Sequence, residues 1–202
     1  MVGWAVAACL VVILATPVVG VETRDAPATI HQFYDALAEV MRNGPTLGEK
    51  GRYQRLEPVI AETFDLPAMT RAVTGFSWER LSLDQQQKMI TAFSRYTTAV
   101  YADRFASSGG ETFEITGQTP HGTATIVDSR IVKADGSPVP IRYLMQRAGD
   151  SWRVKDIYLA GTISELATTR AQFSSIIERQ GIDGLIRELD HKTETMLSST
   201  GH

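Results

Sequence analysis

Side chains able to do chemistry are present in this sequence but do not assemble into a motif. The histidines are His31, His121, His191 and His202. No two of them stand at a metal-ligand spacing, and no carboxylate cluster completes a set around one. Serines are plentiful, yet there is no Gly-x-Ser-x-Gly elbow and no glycine-rich phosphate loop. The acid in the most telling context is Asp156, in the alternating stretch Ser151 to Ala160. Period two puts it on one face with Trp152, Val154 and Tyr158, and Arg153, Lys155, Ile157 and Leu159 on the other. An acid among apolar neighbours needs a partner or a raised pKa. Either Asp156 hydrogen-bonds a helix terminus or an arginine such as Arg170, or Asp156 or Tyr143 acts on a hydrophobic substrate. No second acid or base is placed to help it, which favours the first reading. Arg142 and Tyr143 could flank a cavity mouth and meet a phosphate, or Arg142 could lie on a solvated strand edge. No catalytic residue, metal or cofactor is assigned.

Cys9 is the only cysteine, and it falls inside an apolar run. Val2 to Gly20 carries no charged side chain, and its run Trp4 to Val19 reads as the h-region of a secretory signal, too short to span a bilayer well. Pro17 breaks the helix, and Val18 and Gly20 are small enough for the minus-three and minus-one positions, so cleavage is expected after Gly20, with a point near Ala26 or Ala28 as the alternative. Val6-Ala7-Ala8-Cys9 is a poor lipoprotein box because most of the apolar run follows Cys9. The expected division is a signal peptide at 1–20 and a single domain at 21–202, monomeric, periplasmic and free of cysteine. Its stability must then rest on an ordinary packed core. A net charge of -3, from 20 basic and 23 acidic side chains, with no basic stripe, argues against a nucleic-acid partner.

The elements follow from the patterning. Ile30, Phe33, Tyr34, Leu37, Val40 and Met41 recur on one face of a helix that starts after Asp25 and ends at Asn43-Gly44-Pro45. A second helix runs from about Gly48 toward Phe64, with Leu56, Val59, Ile60 and Phe64 as its apolar side and Pro58 kinking or restarting it. Asp65 caps a short helix opening Leu66-Pro67. Gly75-Phe76-Ser77-Trp78 reads as a turn with two apolar anchors. Ser82 and Gln85 form a capping box for a helix from about Leu83 to Ser107, whose inner face is Met89, Ile90, Phe93, Tyr96, Val100, Tyr101 and Phe105. From Glu111 the period changes to two. Strands are predicted at Thr112 to Thr116, with Phe113 and Ile115 together, at Thr123 to Lys133, at Val139 to Arg147 and at Ser151 to Ala160. Two last helices cover Ile163 to Arg179 and Asp183 to about Met196, divided at Gln180-Gly181. The fold class is α+β, with helices packed on one face of a curved, four-stranded antiparallel sheet.

The order of particular stretches carries a resemblance. Phe64-Asp65 precedes a short helix, Trp78 follows in a turn, and a long helix ends near Tyr101. Pro140-Ile141-Arg142-Tyr143 comes next, then the strand Trp152 to Ala160 running through Gly161-Thr162-Ile163-Ser164. Arg170-Ala171-Gln172-Phe173 and Gly184-Leu185-Ile186 close the series. This order resembles the MlaC, or toluene-tolerance, family of periplasmic phospholipid carriers along nearly the whole chain after the signal. The polar stretch before Phe64 and the Leu159-Ala160-Gly161-Thr162 variant look more like its HpnM branch, associated with hopanoid biosynthesis.

The resemblance implies a carrier that holds acyl chains in an apolar cavity between helices and sheet. It would exchange phospholipid or hopanoid with an inner-membrane ABC transporter complex and an outer-membrane lipoprotein complex, without catalysis. Each methylene withdrawn from water contributes about 0.8 kcal/mol, so two chains of about sixteen carbons represent roughly 25 kcal/mol of gross transfer energy, which an open groove would forfeit. The residues expected on the cavity wall are Phe33, Leu37, Met41, Phe93, Val100, Tyr101, Ile141, Tyr143 and Met145, all on inward faces; plain core packing is the competing role for each. Methionines at 41, 69, 89 and 145 suit a lining that adapts to its contents. The rival functions are an enzyme on a cone-shaped scaffold of the ketosteroid-isomerase type, using Asp156 or Tyr143, and an accessory subunit that binds only proteins.

Overall fold

A computed structural model describes residues 25–198; the expected signal peptide at 1–20, with its expected cleavage after Gly20, lies outside the described residues. Helix α1 spans Ala26–Thr63 and α2 Leu66–Thr74, followed by a 3-10 turn at Gly75–Arg80 and helix α3 at Leu83–Arg104. Strands β1 (Thr112–His121), β2 (Ala124–Val132), β3 (Pro138–Ala148), β4 (Ser151–Leu159) and β5 (Ile163–Ser164) come next, and helix α4 (Glu165–Ser198) closes the chain. The sheet is a consecutive antiparallel meander in the order β1-β2-β3-β4-β5. The α+β class holds, with five strands where four were expected. β5 is only two residues long, too short to show a period.

Helix α1 lies against β1, β2 and β4, while α3 packs on α1 and α4. The apolar residues of α1 that recur every three or four positions are the buried ones, from Ile30 to Met41 and again at Leu56 and Ile60. The helix does not end at Asn43-Gly44-Pro45. It continues to Thr63 and breaks instead at Gly48, whose φ of 60° and ψ of 179° leave the helical region. Gly44 is there for space: a β-carbon on it would stand 1.7 Å from the Ala106 carbonyl oxygen, just beyond the end of α3. Arg52, buried where α1 crosses α3, ties the two ends. Its Nε donates to the Ala102 carbonyl at 2.7 Å, Nη1 to that of Gly44 at 3.2 Å, and Nη2 meets Glu49 at 3.4 Å. The same backbone break recurs in α4 at Gly181, with φ 70° and ψ 179°, at the division the sequence predicts.

Three further expectations change. The capping box at Ser82 and Gln85 is present, but α3 stops at Arg104. Within α3 the small residues Ala92, Ala99 and Ala102 are buried beside Met89 and Phe93, letting its neighbours approach closely. In the 3-10 turn Trp78 is buried while Phe76 is 88% exposed, so only one of the two aromatics is an anchor. Phe76 instead lies under the guanidinium of Arg170, 5.2 Å from its ring centroid.

Strand β4 departs most from its pattern. Met145 pairs with Val154 and Leu144 with Asp156, leaving Lys155 as an extra residue. A bulge of this kind flips the alternation beyond it. Val154 and Ile157 are therefore both buried, and Ile157 and Leu159 stand opposite Tyr143 and Ile141 on the inner face. The bulge also points Lys155 at Asp65, with which it forms an ion pair. Beside it the chain joining α1 to α2 docks along β4, Phe64 bridging to Val154 in parallel and the Asp65 N–H donating to the Val154 carbonyl at 2.9 Å.

Candidate functional site

Between α1 and the sheet lies a continuous set of aromatic rings. Phe33, fully buried, meets Phe64 edge-on at 5.2 Å between centroids, Tyr101 at 5.3 Å and Tyr143 at 6.5 Å. Tyr34 stacks on Phe113 at 4.7 Å and touches Tyr143 at 6.0 Å. Tyr101 stacks on Phe105 at 5.9 Å, and Phe105 reaches Phe113 at 6.1 Å. Helix α1 supplies Phe33 and Tyr34 because successive residues there straddle its buried stripe. The inner face of β3 supplies Ile141, Tyr143 and Met145 at period two.

The polar atoms among these rings are satisfied locally. The Ser129 hydroxyl, on the inner face of β2, donates to the Ile141 carbonyl at 2.9 Å, so its oxygen accepts from the Tyr34 hydroxyl at 2.7 Å. Burial pushes the phenols of Tyr34, Tyr101 and Tyr143 up from the usual tyrosine value; for Tyr143 the rise is large. Interaction with Tyr34 adds to the rise at both Tyr101 and Tyr143. These rings stay neutral at ordinary pH and present an apolar wall with a few fixed hydroxyls.

At one end of the sheet the ring series opens into a cleft of about 480 Å3. Met41 of α1, Phe105 after α3, and Phe113, Ile131 and Val139 from the first three strands form its apolar wall. Arg104, Glu111, Lys133 and Asp135 stand around it. Glu111 and Phe113 also border a second groove, of about 280 Å3, with Tyr34 and Arg42 on its other side. The larger cleft is of the size that small-ligand sites occupy. It leads by way of Phe105 and Phe113 to Tyr101 and Tyr34, and so to Phe33 in the centre.

The expected wall residues divide into groups. Tyr101 and Tyr143 each meet the ring of Phe33, Leu37, Ile141 and Met145 belong to the same core, and Met41 lines the cleft. Phe93 belongs to that core too, but its ring is outside the series, packed edge-on against Phe173 of α4 at 6.2 Å. Val100 is half-buried and outside the core cluster. Missed as wall candidates were Tyr34, Phe64, Phe105, Phe113 and Ser129. Tyr34 shared the predicted stripe with Phe33, and Ser129 the alternation with Val127 and Ile131, so the pattern held a signal for both.

Asp156 and Arg142 are on the outer face of the sheet. Asp156 accepts from the Ser164 hydroxyl at 2.6 Å and from the N–H groups of Leu166 and Ile157 at 3.2 and 2.7 Å, which caps the start of α4. The helix-terminus reading of this acid is the one observed, without Arg170. Arg142 donates to Asp128 at 2.9 Å and is not at the cleft.

Two comparisons bear on this arrangement. A solved structure from Ralstonia solanacearum, described as a phospholipid-binding protein in complex with a phospholipid, superposes with a TM-score of 0.74 over 86% of this chain and 99% of that one. At 24% identity the likeness establishes the shared fold. The sequence itself matches the MlaC protein family across residues 31–191, which takes in every element from α1 to α4. The chain belongs to the MlaC family.

Proposed function

We propose that this protein is a periplasmic carrier that binds phospholipid by its acyl chains and moves it between the inner and outer membranes. Residues 1–20 serve as a cleaved signal peptide and residues 21–202 form the carrier. An inner-membrane ABC transporter complex and an outer-membrane lipoprotein complex are its exchange partners. The observation that carries the reading is the family match across the whole fold, joined to an aromatic interior that runs out to an apolar cleft. The phospholipid bound by the Ralstonia neighbour agrees with it.

Tails enter at the cleft and advance along Phe105 and Phe113 toward Phe33, α1 yielding from the sheet as they do. The gross gain of roughly 25 kcal/mol for two sixteen-carbon tails exceeds what loosening several aromatic contacts of about 1 kcal/mol each would cost. Met41, Leu37 and Met145, unbranched at Cβ, adapt to the new shape. The headgroup remains at the mouth, in water. No covalent step is needed, and the acid considered as a base, Asp156, is committed to capping α4.

Transfer of a labelled phospholipid from donor to acceptor vesicles tests this. The protein should accelerate transfer, and Ile131→Trp, which fills the cleft from its wall, should slow it while leaving the circular dichroism spectrum unchanged. Val100→Trp, outside the core, should have no such effect. No acceleration by the unaltered protein would contradict the proposal. Acceleration for a hopanoid but not for a phospholipid would move the cargo to the HpnM branch.

A further inference from the structure

The charged groups around the cleft are not equivalent. Its two carboxylates are already engaged: Glu111 accepts the Gly109 N–H at 2.7 Å, and Asp135 accepts the N–H and hydroxyl of Ser137 at 2.8 and 2.5 Å. Its two cations form no ion pair, though together with the Ser137 hydrogen bonds the charge of Lys133 helps hold the Asp135 carboxyl below its usual value. Among the described residues neither Arg104 nor Lys133 has a carboxylate within salt-bridge distance or a side-chain hydrogen bond. Neighbouring cations on the sheet do have partners: Arg130 pairs with Glu114 at 2.6 Å and Arg142 with Asp128 at 2.9 Å. Arg104 and Lys133 come from the last turn of α3 and the loop after β2, so two separate elements deliver a cation each to the rim of one apolar cleft. The apolar wall below them begins the ring series that leads to Phe33.

We infer that Arg104 and Lys133 form a phosphate subsite at the cleft mouth, which holds the phosphodiester of a glycerophospholipid whose tails lie in the interior. The inference rests on the carrier reading above and adds a basis for selection. Guanidinium and ammonium groups both donate to phosphate oxygens, and such charge-assisted bonds are stronger than neutral ones. A lipid with the same tails and no phosphate would leave both cations without their partner. The mouth therefore discriminates by headgroup class, while the rings below accept any tail of suitable shape.

The test uses the full chain expressed with export and purified from the cell envelope. It is incubated with phosphatidylcholine vesicles containing equal amounts of dioleoyl phosphatidylethanolamine and dioleoylglycerol, at about 0.15 M salt so that long-range attraction is screened. Bound lipid is then extracted and quantified by mass spectrometry. The unaltered protein should enrich phospholipid over dioleoylglycerol by about tenfold. The double variant R104Q/K133Q should lose most of that enrichment while carrying a similar total of lipid, and R104E/K133E should lose all of it. Both side chains are exposed, so an unchanged thermal melt is expected. Lipid bound without headgroup preference, or a preference that survives both double variants, would overturn the subsite and leave the carrier reading standing. No lipid bound of either kind would overturn both. Calorimetry with inorganic phosphate forms the second arm: tight binding of the free anion by lipid-free protein, lost in R104Q/K133Q, would assign the cations to a soluble anion instead and overturn the lipid assignment.

Discussion

Tyr34 joins the helix layer to the sheet with one hydroxyl. Tyr34→Phe keeps the ring stack on Phe113 and removes only the hydrogen bond to Ser129, whose hydroxyl retains the Ile141 carbonyl. The expected loss is about 1 kcal/mol, read as a lower urea midpoint at constant slope. The three raised phenols also set a pH dependence. Each binds its proton more tightly folded than unfolded. Their contribution is complete below the unfolded tyrosine pKa of about 10 and is lost as pH rises from there through the folded values. Denaturation midpoints should therefore be level up to about pH 9 and fall steeply above pH 10, and less steeply in Tyr34→Phe. Gly44 makes the opposite kind of demand, for emptiness. Gly44→Ala must push α1 off the end of α3 and disturb Arg52, so it should destabilise by at least the 1–3 kcal/mol typical of overpacking.

At the scale of elements, the joint between α1, α2 and β4 is the one most open to test. Burial alone would raise the Asp65 carboxyl, but the Lys155 hydrogen bond, the Ala68 N–H and the charges of Lys155 and Arg153 together hold it below its ordinary value. That contribution is present above the unfolded pKa of about 3.9 and disappears as pH falls through the lower folded value. Asn also caps helices well, so Asp65→Asn removes the ion pair alone, while Asp65→Ala removes the cap too and should cost about 1 kcal/mol more. Much of this architecture was legible: the buried stripe of α1, the caps at Asp65 and Ser82, the meander and the break at Gly181 all follow from local pattern. Misreadings arose where tertiary contact overrode it. Gly44 resembles a helix stop but answers to Ala106, and the bulge at Lys155 reverses a face that alternation assigned to Asp156. Phe76 and Trp78 are alike as apolar side chains, and only packing separates them. The cleft was illegible because five elements build it, and Phe113 shows only as one strand residue.

At the scale of the whole molecule, one apolar interior opens at one end, and the proposed carrier function requires that its contents can change. Bound phospholipid interacts with the folded state alone, so loading should stabilise it. At a lipid excess of about a hundred times Kd the gain is about 2.7 kcal/mol, or roughly 5–10 °C in Tm for a domain of this size. On the proposed carrier reading the aromatic rings and the neutral tyrosines would serve as a lining as well as a core. The most direct test is to purify the protein from its native envelope, extract it with organic solvent and identify what was bound by mass spectrometry. The expected result is a phospholipid in near-stoichiometric amount, regained from vesicles after stripping. A folded, stable protein that is repeatedly recovered empty and takes up no lipid from vesicles would contradict it.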